Sequence, residues 1–492
     1  MNQRNDPGFS QWLITVIVIA VGILLIYKLV EYSNVRNYMP TGLEIAGINV
    51  GGFSEDQVRE VLTNRYLDAP VVLYHGANRF ELNPLQDAEF ELDFETMLAE
   101  AQFQREQQDY WAGFWGYLWG RPVEVNEVPL RATHNRDTLT RNLQLVATNY
   151  DLSPQPPQPV PQNLSFLYGE AGLQTDLAES LDDVEAALYR PTGREAYLVV
   201  EAVEPPRPNI NLLANLIVNH LEGFDGVASI HIRDLQNGDE ININTDLPMS
   251  GMSILKVPIV LETLRALDQP LNSQQADLVS EALLGSGNES ANQLLNLIAG
   301  QDNPYLGADM TTEAMTKLGL ENTFIVTPYD LDPRTNRRTQ ETPANSRTDI
   351  PTNPDPNMQT TAEDIGALLT MLYYCAENQG GALIAAFEDD ITPEECAGIL
   401  DLLSQNYIGS LIEEGVPPDT QVAHKHSWIG DTHSDAGIVY TNNGDYVVVM
   451  FLHQPNWLEW EVSSPLMADI ARATYNYFNF DSPYLGQQLG DS

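Results

Sequence analysis

From Gly8 to Tyr27 the chain carries no charged residue, and Trp12 to Val30 reads WLITVIVIAVGILLIYKLV. An uncharged apolar run of this length is enough to cross a bilayer as a helix. Lys28 stands where its stem can reach the interface, and Trp12 and Tyr27 suit the two headgroup zones. A cleaved signal peptide is the alternative. The leading MNQRNDPGFSQ has only Arg4, offset by Asp6, and no small-x-small cleavage site follows the apolar run, so a retained anchor is the expectation. Residues 1–11 then form a cytoplasmic tail and residues 12–30 the transmembrane anchor. No later run approaches this length, which puts the remainder on one side of the membrane.

That remainder is too long for one core in a chain of 492 residues, so two or three domains are expected. Asp and Glu number 69 against 24 Lys and Arg, a formal net charge of -45. Such a surface repels nucleic acid and anionic headgroups, which excludes nucleic acid as a partner and leaves the apolar helix as the link to the bilayer. Two cysteines, Cys375 and Cys396, cannot build a zinc site alone. Outside the cell they can pair in one disulfide between neighbouring helices; the alternative is two buried free thiols.

Past the anchor, MPTGLEIAGINVGGFSEDQVREVL reads as a strand, a Gly-Gly turn and a helix capped by Ser54. Phe90–Leu98 and Leu173–Leu181 share a pattern of an apolar residue, an Asp three later and helix formers beyond, a weak strand-then-helix repeat. Between the copies, residues 153–162 (SPQPPQPVPQ) predict an extended proline spacer. Residues 38–204, on the strength of GLEIAGINVGGFSEDQV and GLQTDLAESLDDVEAAL, resemble the peptidoglycan-binding domain of vancomycin-resistance W-type proteins. The resemblance implies a wall-proximal α+β region with peptidoglycan as partner; the plainer reading is an α+β spacer.

Residues 205–208, inside EPPRP, mark a linker, and the pattern then changes. NLLANLIVNHL has helical spacing, while VASIHIRDL and EININT read as paired strands. Helices follow from about Ser253 to Leu320 and resume at Thr361, with a polar loop, Thr327–Asn357, between them. AGIVYTNNGDYVVVMFLH is a hairpin with its turn at Asn442–Asp445, and SSPLMADIARATYNYF is an amphipathic closing helix. The expected class is therefore α+β: one antiparallel sheet assembled from both ends of residues 209–480, helices on its faces, then a tail over 481–492.

Three short pieces in this domain carry chemistry. Ser253 stands three residues before Lys256, on one face of a helical stretch, and a buried lysine loses charge and can accept a proton. A simple cap and a snorkelling lysine are the plain alternative. Ser286-Gly287-Asn288 opens a second helix, and Lys425-His426-Ser427 lies near the start of a strand. The order S-x-x-K, S-x-N, K-x-x resembles the motif set of class A β-lactamases and penicillin-binding proteins. That resemblance implies Ser253 as acylated nucleophile, Lys256 as its proton acceptor and Ser286 as proton shuttle to the leaving nitrogen. It further implies Asn288 as binder of the substrate amide, Lys425 as attractor of the substrate carboxylate, and an oxyanion hole made by the N–H groups of Ser253 and Trp428.

The departures are Gly287 in place of aspartate, His426 in place of a hydroxyl residue and Ser427 in place of glycine. His426 is expected to help hold the carboxylate as a donor, more strongly when protonated. Deacylation in class A enzymes uses a loop glutamate before a Thr-Thr helix start; here Thr360-Thr361 resemble that start, and Glu341 is the loop's only glutamate. His424, His426 and His433 invite a zinc reading, but no further ligand accompanies them, so neither metal nor cofactor is expected. The implied substrate is a β-lactam or an acyl-D-Ala-D-Ala peptide outside the cell. The competing class is a module that binds wall peptides without turnover.

Overall fold

The computed structural model describes residues 7–107, 109–121, 126–267, 270–335, 338–377 and 380–486. The chain divides into two compact units, Met1–Gln155 with Glu170–Pro205, and Pro156–Gly169 with Pro206–Ser492.

In the first unit α1 (Pro7–Val35) is one continuous helix. It is long and apolar enough to cross a membrane, and an apolar helix near the N-terminus also fits a signal sequence. Ser54 caps α2 (Glu55–Leu62) with a reciprocal bond to Gln57, as the sequence led us to expect. β1 (Val71–His75) and β2 (Asn78–Leu82) form a hairpin. The repeated aspartates are caps: Asp93 accepts from the Thr96 N–H at the start of α3 (Phe94–Glu106). α4 (Tyr110–Leu118) then packs on the last turns of α1, where the Tyr32 ring meets Tyr110, Phe114 and Tyr117 at 5.5, 5.7 and 5.4 Å. A Cβ on Gly113 would stand 2.3 Å from the Tyr32 hydroxyl, so only glycine admits this approach. β3 (Gly172–Asp176) leads to α5 (Leu177–Leu188), capped by Asp176 through the Glu179 N–H. β4 (Glu195–Tyr197) joins β1 in parallel, and β5 (Val199–Val203) pairs antiparallel with β3. Leu43, Ile45, Val58, Leu62, Tyr66 and Leu73 close the core.

The second unit is built on a five-stranded antiparallel sheet. After α6 (Ile210–Leu221) come β6 (Val227–Asp234) and β7 (Glu240–Ile243). The helical middle includes α7 (Lys256–Ala266), α8 (Asn288–Ala299), α9 (Ala362–Ala376) and α10 (Pro393–Leu403). β8 (Val422–Trp428), β9 (Thr432–Val439) and β10 (Tyr446–His453) precede the closing helix α11 (Trp460–Phe478). The strand order is β7-β6-β10-β9-β8, so the two ends of the domain meet where β6 pairs with β10. Side chains alternate across a strand, and both faces of β10 are buried. Val447, Val449 and Phe451 join the core with α7, α8 and α9. Tyr446, Val448, Met450 and Leu452 join a separate core with α6 and α11.

One expectation changes here, and one open alternative is decided. The proline segment is not a free spacer: Gln158–Val160 pairs with Ser165–Leu167 in a hairpin that belongs to the second unit. Phe166 packs on Tyr477, and Asn476 donates to the Leu164 carbonyl, so apolar anchors within 164–168 override the solvated extension that prolines alone would favour. Residues 156–169 thus leave the 38–204 region. The open question of the cysteines also closes: Cys375 on α9 and Cys396 on α10 are joined in a disulfide.

Candidate active site

Lys256 through Leu264 are buried without a break, so α7 has no solvated face for a lysine to snorkel along. Ser253 sits in the tight Met252–Leu255 turn ahead of it, not inside an α-helix. In a 3-10 turn residues three apart eclipse, which brings Ser253 and Lys256 together. The simple-cap alternative does not hold, because the Ser253 hydroxyl meets Lys256 Nζ at 2.9 Å and no side chain caps α7.

Lys256 Nζ also lies 2.8 Å from Asn288 Oδ1 and 3.3 Å from Ser286 Oγ, and donates to the Ser286 carbonyl. Its face is closed by the Tyr329 ring, 4.8 Å away at the centroid. Burial, joined by the like charge of Lys425, pulls the amine down to about 8, with Asp330 pulling the other way. Neutral, the amine has a lone pair for the Ser253 proton.

Three non-glycine residues at this place hold left-handed backbones: Met252 at φ +47°, Ser286 at +55° and Asp330 at +56°. Such conformations cost energy and persist where the surroundings over-determine them. Tyr329 illustrates how: its hydroxyl donates to the Met252 carbonyl, and Asn292 clamps its N–H and carbonyl at 3.0 and 2.8 Å. The clamp holds Asp330, itself exposed, where its carboxylate accepts from Asn288 Nδ2 at 2.8 Å. Gly287 sits tight, since a Cβ there would approach Ser290 Oγ to 3.0 Å.

The strand side is built differently. Lys425, in the middle of β8 rather than at its start, is buried, and burial lowers it to about 8 against the pull of Asp435. Its Nζ reaches the His426 carbonyl at 3.4 Å. Beneath it His424 is fully buried, 2.9 Å from Asp435 and 3.7 Å from Glu413. Burial opposes the charge on His424, but the two carboxylates outweigh it and raise the imidazole to about 9. Gly437, opposite His424, leaves room for it; a Cβ would come within 2.5 Å of the His424 Cβ.

Burial takes the His426 imidazole down to about 4, which favours the neutral ring with one N–H to donate, and its Nδ1 is buried with no partner among the described residues. Its ring stacks on Trp428 at 5.5 Å, and Trp428 meets Trp460 edge-on at 5.2 Å. His433 belongs to that wall, with Nδ1 2.5 Å from Ser463 Oγ, not to a ligand set with His424. Ser427 turns its hydroxyl toward Ser253 and accepts the Ser253 N–H at 2.8 Å.

Ser253, Lys256, Ser286, Asn288 and Ser427 thus meet directly, Lys425 adds its charge to the group, and Trp428 stands one residue on from Ser427. Glu341 is not brought in: it is exposed and none of these groups contacts it. Asp330, Tyr329, Asn292 and Asp435 were missed. Asn292, four residues after Asn288 on one face of α8, was the available signal; nothing in PYD marked the turn.

Among solved structures, similarity extends to "Structure of PBP-A", at 18% identity over 56% of this chain and 99% of that one, TM-score 0.42. A β-lactamase from Sphaerobacter thermophilus is 18% identical over 56% of this chain and 100% of that one, TM-score 0.43. An ancestral class A β-lactamase is 17% identical over 54% and 98%, TM-score 0.41. No curated protein matches. Residues 211–276 and 270–478 match the family described as Beta-lactamase2, "Beta-lactamase enzyme family". The second unit carries the fold of a β-lactamase-like serine hydrolase, and the chain belongs to the beta-lactamase enzyme family.

Proposed function

We propose that the chain is a membrane-anchored, extracytoplasmic serine hydrolase acting through an acyl-Ser253 intermediate on β-lactams or D-Ala-D-Ala-type peptides. The observation that carries the reading is the 2.9 Å contact between Ser253 Oγ and a buried amine lowered to about 8. Ser253 Oγ attacks the amide carbonyl and its proton passes to Lys256 Nζ. Lys256 returns it by way of Ser286 Oγ to the leaving nitrogen, and the acyl group stays on Ser253. Asn288 orients the substrate amide, while Lys425 attracts the carboxylate beside His426 and Ser427. The N–H groups of Ser253 and Trp428 receive the oxyanion.

Deacylation is slow in this reading. Glu341 makes no contact with the site, the Tyr329 ring closes the face of Lys256, and Asp330 is already engaged by the Asn288 amide. The Cys375–Cys396 disulfide supports an oxidising location, and α1 supports a retained anchor. The first unit is read as a wall-proximal, peptidoglycan-binding region. One observation favours the second reading, a wall-peptide binder without turnover: the Ser427 hydroxyl already occupies the Ser253 N–H.

Intact mass spectrometry of the full chain in detergent with a penicillin, beside Ser253→Ala, tests the proposal. A lasting adduct on the unaltered chain alone is expected. Hydrolysed drug without an adduct would mean fast deacylation and direct attention to Asp330. No adduct and no turnover, with binding that survives Ser253→Ala, would leave the binding module.

A further inference from the structure

Along α4 the residues Trp111, Trp115 and Trp119 recur every four positions, a spacing that places them on one helical face. They are 58%, 51% and 75% exposed. Three solvent-facing indoles in a row are costly in water, and indole prefers the membrane–water interface. The opposite face of α4 is tied to α1 through Tyr32 and through the close approach at Gly113.

The heights of the two helices are readable from their contacts. Arg36, just past the end of α1, stacks over Tyr110 at 5.0 Å, whereas Lys28 Nζ lies 5.9 Å from the Tyr117 ring. α4 therefore runs antiparallel to α1, descending about 12 Å from the level of Arg36 to that of Lys28. Lys28 is the first charge after the apolar run. Trp119 follows Tyr117, so the exposed indoles descend toward the end of the membrane-spanning length.

Beside them lies a cavity of about 430 Å³ lined by Arg36, Arg105, Arg121, Tyr38 and Tyr117, with no acidic residue in its wall. Arg36 and Arg105 donate to each other's backbone carbonyl at 3.5 and 3.3 Å. None of the three arginines pairs with a carboxylate among the described residues. In a chain of net charge -45 this is a local inversion of sign. It overrides, at this one place, the repulsion of lipid phosphate expected from the chain's total charge.

We propose that α4 and the end of α1 form a seat for membrane phospholipid. The Trp111/Trp115/Trp119 face lies in the headgroup zone, and the arginine cavity takes the phosphate of a glycerophospholipid whose acyl chains run down beside α1. The proposal rests on the reading of α1 as a retained anchor. It makes the first unit a part of the membrane surface rather than a domain tethered at one point.

The full chain in nanodiscs of phosphatidylcholine and phosphatidylglycerol, with chain-brominated lipid as tryptophan quencher, tests it. With Trp428, Trp457 and Trp460 replaced by Phe in every variant, Trp12→Phe leaves the α4 indoles as reporters of the seat, and Trp111→Phe/Trp115→Phe/Trp119→Phe leaves Trp12 as reporter of the anchor. Quenching in both variants is expected. A triple variant quenched as fully as the unaltered chain would overturn the seat while the anchor stands. No quenching in either would overturn the anchor, and the seat with it. For the phosphate, native mass spectrometry should find phosphatidylglycerol held about fivefold more weakly by Arg121→Gln and about a hundredfold by Arg36→Gln/Arg105→Gln/Arg121→Gln. Among the described residues the Arg121 side chain makes no hydrogen bond or ion pair that its loss would break, so unchanged retention in that variant would overturn the cavity's role.

Discussion

Lys256 and Lys425 are both buried, and burial lowers both to about 8, yet they stand in unlike company. Lys256 has the Ser253 and Ser286 hydroxyls, the Asn288 amide and the Ser286 carbonyl around its Nζ. Lys425 has one carbonyl at 3.4 Å and, below it, the buried Asp435–His424–Glu413 set. The helical side of the site is satisfied in every direction and suited to moving a proton. The strand side holds a charge in reserve, next to a neutral histidine and a serine that takes up an N–H the proposed reaction needs. A motif set can therefore be complete in residue type and still be uneven in readiness.

The largest expected effect separates the two lysines. Lys256→Ala should cut the acylation rate roughly 10³-fold, whereas Lys425→Ala should mainly raise KM, in stopped-flow kinetics with a chromogenic β-lactam. Equal losses in the same parameter would break the contrast. Next, Ser427→Gly frees the Ser253 N–H and should speed acylation by up to roughly 10²- to 10³-fold, the scale of one oxyanion donor. A slower variant would mean that the hydroxyl assists rather than obstructs.

A smaller effect lies in pH. Lys256 must be neutral to accept a proton, so its competent fraction grows as pH rises through about 8. Lys425 must be charged to attract a carboxylate, so its competent fraction shrinks through about 8. Their charges interact, and kcat/KM should trace a bell with its maximum near pH 8 whose limbs belong to the pair. A sigmoid rising to pH 10 would remove Lys425 from substrate binding.

The smallest effect concerns stability. His424 is raised in the fold from an ordinary value near 6.5, so its stabilisation is full below about 6.5 and lost as pH rises through about 9. Lys256 and Lys425, lowered to about 8, add the opposite slope above that pH, so the window for His424 is about pH 6.5 to 8: urea midpoints should fall across it, and Asp435→Asn should flatten that slope. A flat profile in the unaltered chain would show that the buried set beneath Lys425 does not hold its charge.

Much of this was legible in the chain itself. Apolar periodicity and turn residues marked the hairpin of β9 and β10, the Ser54 cap and the closing helix, because these follow from local spacing and backbone chemistry. The candidates at 253, 256, 286, 288 and 425 were picked out by a different route: S-x-x-K alone is too short to tell a nucleophile from a cap, and it was the order of three motifs, resembling the β-lactamase set, that singled them out. What sequence could not supply was proximity and environment. The pairing of β6 with β10 joins segments on either side of the helical middle, and only that closure sets β8 against the Met252–Leu255 turn. The Asn292 clamp on Tyr329, the contact of Asp330 with Asn288 and the distance of Glu341 from these groups depend on how the segment after α8 returns to it. The proline segment joined the second unit because Phe166 found an apolar neighbour there. Residue type set which groups can exchange a proton; burial and the charges brought near by tertiary packing decided which of them hold one, since desolvation and Coulomb energy depend on surroundings that no local pattern contains.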